Sequence, residues 1–252
     1  MKLDDIKKLH QKKYRNSFGF YLVEGEHLVL ELEKAADTNK VLMGAQLFVT
    51  DSYQHWSSRL PKTLLSEKQM ARITDTKSPQ GIIAIVPCSA SHDVTQPLVM
   101  PISNKERTIY LHEIQDPGNL GTILRTLAWF GNFRCLISPE SVDPYNPKVV
   151  RASMGAIFHV PIEVDVPLKE LIHRYSRFAC LDIQGKRVSN NKFSDYDCYI
   201  FGNEARGLPQ AEIDQLKATT FSIQGAGNIE SLNLATAVNI CAYELNRDTM
   251  FN

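Results

Sequence analysis

Thr108-Ile109-Tyr110-Leu111-His112-Glu113-Ile114-Gln115-Asp116-Pro117-Gly118-Asn119 passes from an apolar run directly into a turn. Residues 108–114 read as a buried strand. The periodic stretch that follows reads as a helix through Phe130, with Asn119 placed to cap it. Working outward, strand-like runs recur at 134–138, 159–164, 177–183, 197–201 and 219–223. Helix signals lie between most of them: Pro147 and Pro167 suit first helical turns, and Pro209 opens 210–217. Alternation of this kind predicts an α/β fold, a largely parallel sheet covered by helices. A last helix over 233–246 places Leu234, Val238, Cys241, Ala242 and Leu245 on one stripe, which must bury against the sheet or a second subunit.

The front of the chain has a different texture. Amphipathic helices are expected over 4–14 and 26–36, and short strands over 46–50 and 81–86. Residues 89–107 hold Pro97 and Pro101 among Ser, Asn and Thr without periodicity, as a connection between domains does. The expected division is a domain over 1–90, a linker over 91–106 and a second domain over 107–252.

Composition narrows the function. The 252 residues are 43% hydrophobic, enough for a real core, yet no apolar run approaches the ~20 residues of a membrane span. The N-terminus lacks the apolar core of a secretory signal, so a cytoplasmic protein is expected. Five cysteines without a C-x-x-C pair and seven histidines without H-x-x-x-H spacing indicate neither a disulfide framework nor a metal site. The 28 basic residues balance 28 acidic ones, so any nucleic-acid surface must be local. Lys12, Lys13 and Arg15, in a basic stretch near the N-terminus, are candidates for phosphate contact or simply a solvated face.

Three segments carry chemistry. The first, 116–125, puts Gly121 and Arg125 four residues apart on one helix face, leaving a groove beside the arginine. In the second, 200–209, a strand ends in a turn bounded by Gly202 and Gly207, at the sheet edge where open α/β proteins take ligands. Glu204 there either binds a ligand or pins the loop. The third, 223–233, leaves a strand through Gly225-Ala226-Gly227 toward a helix capped by Ser231 or Asn233. It lacks the third glycine and the early βαβ unit of a dinucleotide-binding turn, which argues against a nicotinamide enzyme.

Taken together these segments resemble the SpoU, or TrmH-like, branch of the SPOUT RNA methyltransferases. The family's N-x-G-x-x-x-R, G-x-E-x-x-G and I-P-M-x-G-x-x-x-S-L-N signatures correspond to 119–125, 202–207 and 223–233, in the family's order. Arg151-Ala152-Ser153-Met154-Gly155-Ala156 also looks like the family. Gln224 and Gly225 depart from its Pro and Met. Residues 15–25 and 78–86 look like the L30e-like substrate-binding domain that many members carry. The resemblance implies a knotted SPOUT-type sheet and S-adenosylmethionine held by backbone groups of Gly202, Ile223 and Leu232, with Asn203, Gly207 and Leu181 nearby. It implies methyl transfer to a ribose 2′-hydroxyl of RNA, ribosomal RNA before tRNA, and a homodimer.

The same resemblance makes Arg125 the catalytic arginine. A guanidinium with a pKa above ~12 is a poor base, so Arg125 is expected to hold a phosphate and the nascent oxyanion. Asn119, Ser231 and Asn233 would orient ribose and arginine, and Glu204 would fix the geometry. The opposing expectation is a noncatalytic RNA-binding protein on the same fold.

Overall fold

Strand and helix alternate through the computed structural model much as the periodicity predicts. It describes residues 1–76, 78–88 and 106–247. In chain order come α1 (Leu3–Lys8), α2 (Lys12–Phe18), β1 (Phe20–Glu24), α3 (Glu26–Ala36), β2 (Gln46–Val49), β3 (Lys62–Leu64), α4 (Glu67–Ile73) and β4 (Ile82–Pro87). There follow β5 (Arg107–Leu111), α5 (Pro117–Phe130), β6 (Phe133–Ile137), α6 (Pro147–Ser153), β7 (Ile162–Glu163) and β8 (Phe178–Arg187). The last elements are β9 (Cys198–Phe201), α7 (Gln210–Leu216), β10 (Thr219–Ser222) and α8 (Leu234–Asn246). Two compact units result, one drawn from Met1–Asp93 and Asp143–His159, the other from Val94–Val142 and Val160–Asn252. The expected linker over 91–106 lies outside the described residues except for Glu106.

In the first unit the sheet runs β1-β4-β2-β3, antiparallel except for the parallel β2–β3 pair. Leu22, Phe48, Ile83 and Ile85 meet Ile6, Leu9, Met70 and Ile73 in its core. The helix expected over 4–14 is broken in two. The backbone turns extended at Gln11, and the carbonyl oxygen of buried Leu9 just before it accepts from Arg15 Nη1 at 2.8 Å. Arg15 itself is 3% exposed and donates through Nε to Asp143 Oδ2 at 2.9 Å. This corrects its reading as an exposed phosphate contact, because its donors are spent inside the protein; Lys12 and Lys13 remain exposed. Asp143 thereby ties 143–159 to α2, and Tyr145 stacks at 4.6 Å on Tyr21 of β1. By contact this segment belongs to the first unit, although in sequence it lies within 107–252.

The second unit carries a six-stranded sheet in the order β10-β8-β9-β5-β6-β7, every pair parallel. Ile109, Tyr110 and Leu111 are all fully buried, so both faces are covered, as a parallel sheet requires. Ile213 and Leu216 of α7 join Leu168 and Leu171 against Tyr110 and Ile200. The turn at Pro167 is 3-10, over Leu168–His173, and the strand expected over 159–164 shrinks to β7, which pairs with β6 at only two positions. α8 packs on α5, and its stripe of Leu234, Val238, Cys241, Ala242 and Leu245 is buried within the one chain. Cys135 is also core: burial pushes its thiol up to about 12. Among the described residues no helix is long and apolar enough to cross a membrane.

Removing one partner of a buried ion pair strands the other charge. Arg15→Ala or Asp143→Ala is expected to cost the first unit about 3–5 kcal/mol in urea unfolding; an unchanged midpoint would remove the structural role assigned to this pair.

Candidate active site

Chain order fixes where the site lies. From β5 the chain proceeds through α5 to β6 on one side, while β9, β5's other neighbour, leads through α7 to β10 beyond β8. Consecutive parallel strands thus step away in opposite directions, which opens a crevice at their carboxyl ends. The segments after β5, β9 and β10 all leave from that edge.

α5 begins with Asp116 as its cap, in place of the expected Asn119. The Asp116 carboxylate accepts the Asn119 backbone N–H at 2.7 Å, and Pro117 occupies the first helical position, where no N–H is needed. Asn119 therefore sits inside the first turn with its side chain free to reach outward. Its Nδ2 donates to Glu204 Oε1 at 3.0 Å, and its Oδ1 accepts from Asn233 Nδ2 at 2.9 Å. Asn233 in turn caps α8 by accepting from Thr236 N at 3.2 Å. One amide thus joins a residue from each of the three segments. Arg125 lies six residues farther along α5, about 9 Å in rise. It is exposed, and among the described residues it has no ion-pair or hydrogen-bond partner.

The turn after β9 is held closed by Asn203 and Gly207, whose backbones exchange hydrogen bonds of 3.0 and 2.9 Å. Asn203 is buried. Its Oδ1 accepts from Ala205 N and Arg206 N, and its Nδ2 donates at 2.8 Å to the carbonyl of Glu113 just beyond β5. The side chain of Asn203 is thus engaged in shaping the turn and tying it to the neighbouring strand. A Cβ on Gly202 would lie 2.6 Å from the Gly207 carbonyl carbon, so this position admits no side chain without a shift.

Around this turn stand residues that no motif letter singled out. Glu113, at φ +50°, pairs with Arg206. Gln115 Nε2 bridges the carbonyl oxygens of Glu113 and Glu140 at 3.0 and 2.6 Å. Burial holds the His112 imidazole below its ordinary value, against the pull of Glu113 and Glu212. For Asp116, the Asp-Pro pair at a helix start was the available signal. Glu113, Gln115 and Arg206 had none, since their partners are distant in sequence.

The third segment is open. Residues 224–232 make no backbone–backbone hydrogen bond among the described residues, and all are exposed. Ser231 has no side-chain partner there, and Ile229 and Leu232 leave apolar surface uncovered. Beside it, β8 bulges. Thr220 pairs with Cys180 but Phe221 with Lys186, so 181–185 loop out, beginning with half-buried Leu181. The structure thus brings Asn119, Glu204 and Asn233 into direct contact, sets Gly202, Asn203 and Gly207 in one turn, and leaves Arg125 and Ser231 without a side-chain partner among the described residues.

Comparison with known proteins gives a consistent picture. The SpoU rRNA Methylase family matches residues 106–243, and the MRM3-like substrate binding domain matches residues 2–84. The chain is 29% identical to the 23S rRNA (guanosine(2553)-2'-O)-methyltransferase RlmP of Bacillus subtilis, over 97% of this chain and 95% of that protein. The AdoMet-bound rRNA methyltransferase of Sinorhizobium meliloti superposes with a TM-score of 0.79 at 26% identity, over 98% of this chain and 94% of that one. The SpoU methyltransferase AviRb of Streptomyces viridochromogenes shares the fold at a TM-score of 0.81 and 22% identity, covering 98% and 97%. The fold is the parallel α/β sheet of the SPOUT methyltransferases, with a smaller α/β unit at the front of the chain.

Gly202→Ala is expected to lower stability in urea by roughly 1–3 kcal/mol, the usual cost of overpacking. Gly225→Ala, at a position with open space around it, should be nearly neutral; equal effects would refute the close approach at Gly202.

Proposed function

The chain belongs to the SpoU rRNA Methylase family, and we propose that it transfers a methyl group from S-adenosylmethionine to a ribose 2′-hydroxyl of ribosomal RNA, acting in the cytoplasm. The observation that carries this reading is the Asn119 bridge between Glu204 and Asn233 at the sheet's switch point, with Arg125 exposed on the same helix. Two relatives support it: RlmP, a 23S rRNA 2′-O-methyltransferase by name, and the AdoMet-bound rRNA enzyme of Sinorhizobium meliloti.

The residues fit the cofactor. Free backbone donors and acceptors over 224–232, and open space around Gly207, Gly225 and Gly227, suit main-chain recognition of a nucleoside and an amino-acid chain. Gly202, Ile223 and Leu232 would hold it, with Asn203 and Gly207 shaping the wall and Leu181 at the bulge alongside. When bound, S-adenosylmethionine supplies a methyl group activated by its sulfonium.

The acceptor hydroxyl loses its proton as it attacks, so negative charge develops on the 2′-oxygen. Arg125 is the group that holds this charge and the adjoining phosphate, through a planar fork that Lys cannot reproduce. Glu204 is a positioning residue: its oxygen is taken by Asn119, which it orients along with Asn233. Ser231 lies on the open loop, where its hydroxyl can reach the ribose. Lys12 and Lys13, exposed within the stretch matching the substrate-binding domain, would contact the RNA backbone. The division into a substrate-binding domain over 1–90 and a methyltransferase domain over 107–252 is part of the same proposal.

A homodimer completes it. Its support is the aromatic surface of Trp129, 82% exposed, and Tyr243, 48% exposed, on the adjoining helices α5 and α8. Sedimentation that shows monomer alone at micromolar concentration would exclude the dimer.

The test is methylation of in vitro transcribed 23S rRNA and of total tRNA with labelled S-adenosylmethionine, followed by mapping of 2′-O-methyl ribose. Wild type should label the rRNA, and Arg125→Lys should lose at least about 100-fold in turnover, the scale of a lost oxyanion donor. Label on tRNA alone would reassign the substrate, absence of S-adenosylmethionine binding would point to a noncatalytic RNA-binding protein, and near-normal turnover by Arg125→Lys would sink the role of the fork.

A further inference from the structure

Helices α2 and α6 are far apart in sequence, yet within the first unit a chain of short bonds joins them. Arg15 of α2 donates to the Asp143 carboxylate, whose second oxygen accepts from Tyr145 N at 2.9 Å. The Asp143 carbonyl accepts from Asn146 N at 3.0 Å, and Asn146 caps α6 by accepting from Lys148 N at 2.9 Å. The first turn of α6 is thus fixed to α2. The Tyr21–Tyr145 ring contact holds the same segment against β1.

The charge on these two helices is of one sign. Neither LysLysTyrArgAsnSerPhe in α2 nor ProLysValValArgAlaSer in α6 contains an acidic residue. Asp143 neutralises Arg15, and the acidic residues of α1 are also spent, Asp5 on Lys8 at 2.9 Å and Asp4 on Arg72 at 2.7 Å. Lys12, Lys13, Lys148 and Arg151 are left with no anionic partner among the described residues; the three lysines are exposed and Arg151 is half-buried. In a protein whose charges balance overall, four uncompensated cations on two joined helices are a local positive field. Next to them the Tyr14 ring lies 5.6 Å from the Lys8 ammonium and 5.8 Å from that of Lys13. Both ammoniums lie over the ring, a cation–π arrangement that keeps the two lysines together at this surface.

We infer that α2 and α6 form one phosphate-binding surface for structured RNA, so that Lys148 and Arg151, which lie in sequence within the methylase stretch, extend the substrate grip of the first unit. This rests on the proposed RNA substrate. Phosphate contacts release counterions, so each cation that binds RNA adds about one to the slope of log affinity against log salt. The partner commits to RNA because lysine and arginine cations without anionic partners among the described residues suit a phosphate backbone.

The full-length protein is tested by filter binding to in vitro transcribed 23S rRNA from 50 to 300 mM salt. The Lys148→Ala/Arg151→Ala variant should bind roughly fivefold or more weakly at 150 mM and lose about one to two units of salt slope. A charge-conserving Lys148→Arg/Arg151→Lys variant should retain both, and the affinity of either for S-adenosylmethionine by calorimetry should equal wild type. An alanine variant with wild-type affinity and slope would overturn the inference, as would equal weakening of both variants, which would mark a structural effect. Wild type that fails to bind the RNA at any salt would fail the proposed function itself, and with it this surface.

Discussion

The Asp116 carboxylate, by accepting the backbone N–H of Asn119, decides what the rest of the site can do. An unsatisfied N–H at a helix start needs an acceptor, and Asp116 supplies it one turn before the signature begins. Were Asn119 itself the cap, its side-chain oxygen would be turned back onto its own helix. Released from that duty, the amide can donate to Glu204 and accept from Asn233 simultaneously. Because an amide has both a donor and an acceptor end, one residue can orient an acid and a second amide with no charge of its own.

Around that bridge the parallel sheet does the large-scale positioning. Its strands leave the β5–β9 boundary in opposite directions, so three segments separated by up to a hundred residues of chain arrive at one edge. The turn after β9 is stiff: crowding at Gly202 and the buried Asn203 side chain hold it to the end of β5. The loop after β10 is the reverse, with its backbone exposed and without backbone partners among the described residues. A rigid wall facing an open loop suits a site in which one side defines geometry and the other closes on a ligand.

The first unit is organised by a different constraint. Arg15 is buried and must be paired, and among the described residues its charge is met by Asp143, brought from 128 residues later in the chain. A charge that could have faced solvent is committed to holding a segment in place, and the remaining cations of α2 and α6 have no anionic partner among the described residues. Buried charge and exposed charge in one short basic stretch therefore serve different ends. Nothing in a linear reading of Lys12, Lys13 and Arg15 separates them.

By itself the sequence determined the alternation of strand and helix, α3 to the residue, the parallel sheet, and three motifs whose order is specific to one family. These follow from local propensity and periodicity, which each segment carries within itself. It also marked the residues that meet in the site, since Asn119, Glu204 and Asn233 are motif letters. Only the tertiary structure decided that Asp116 and not Asn119 caps α5, that the first helix breaks at Gln11, that Arg15 is internal, and that the α8 stripe packs on α5. It alone brought in Glu113, Gln115 and Arg206. The physical reason is common to all of these: a cap, a break or an ion pair is settled by which partner lies within about 3 Å, and partners distant in sequence leave no periodic trace.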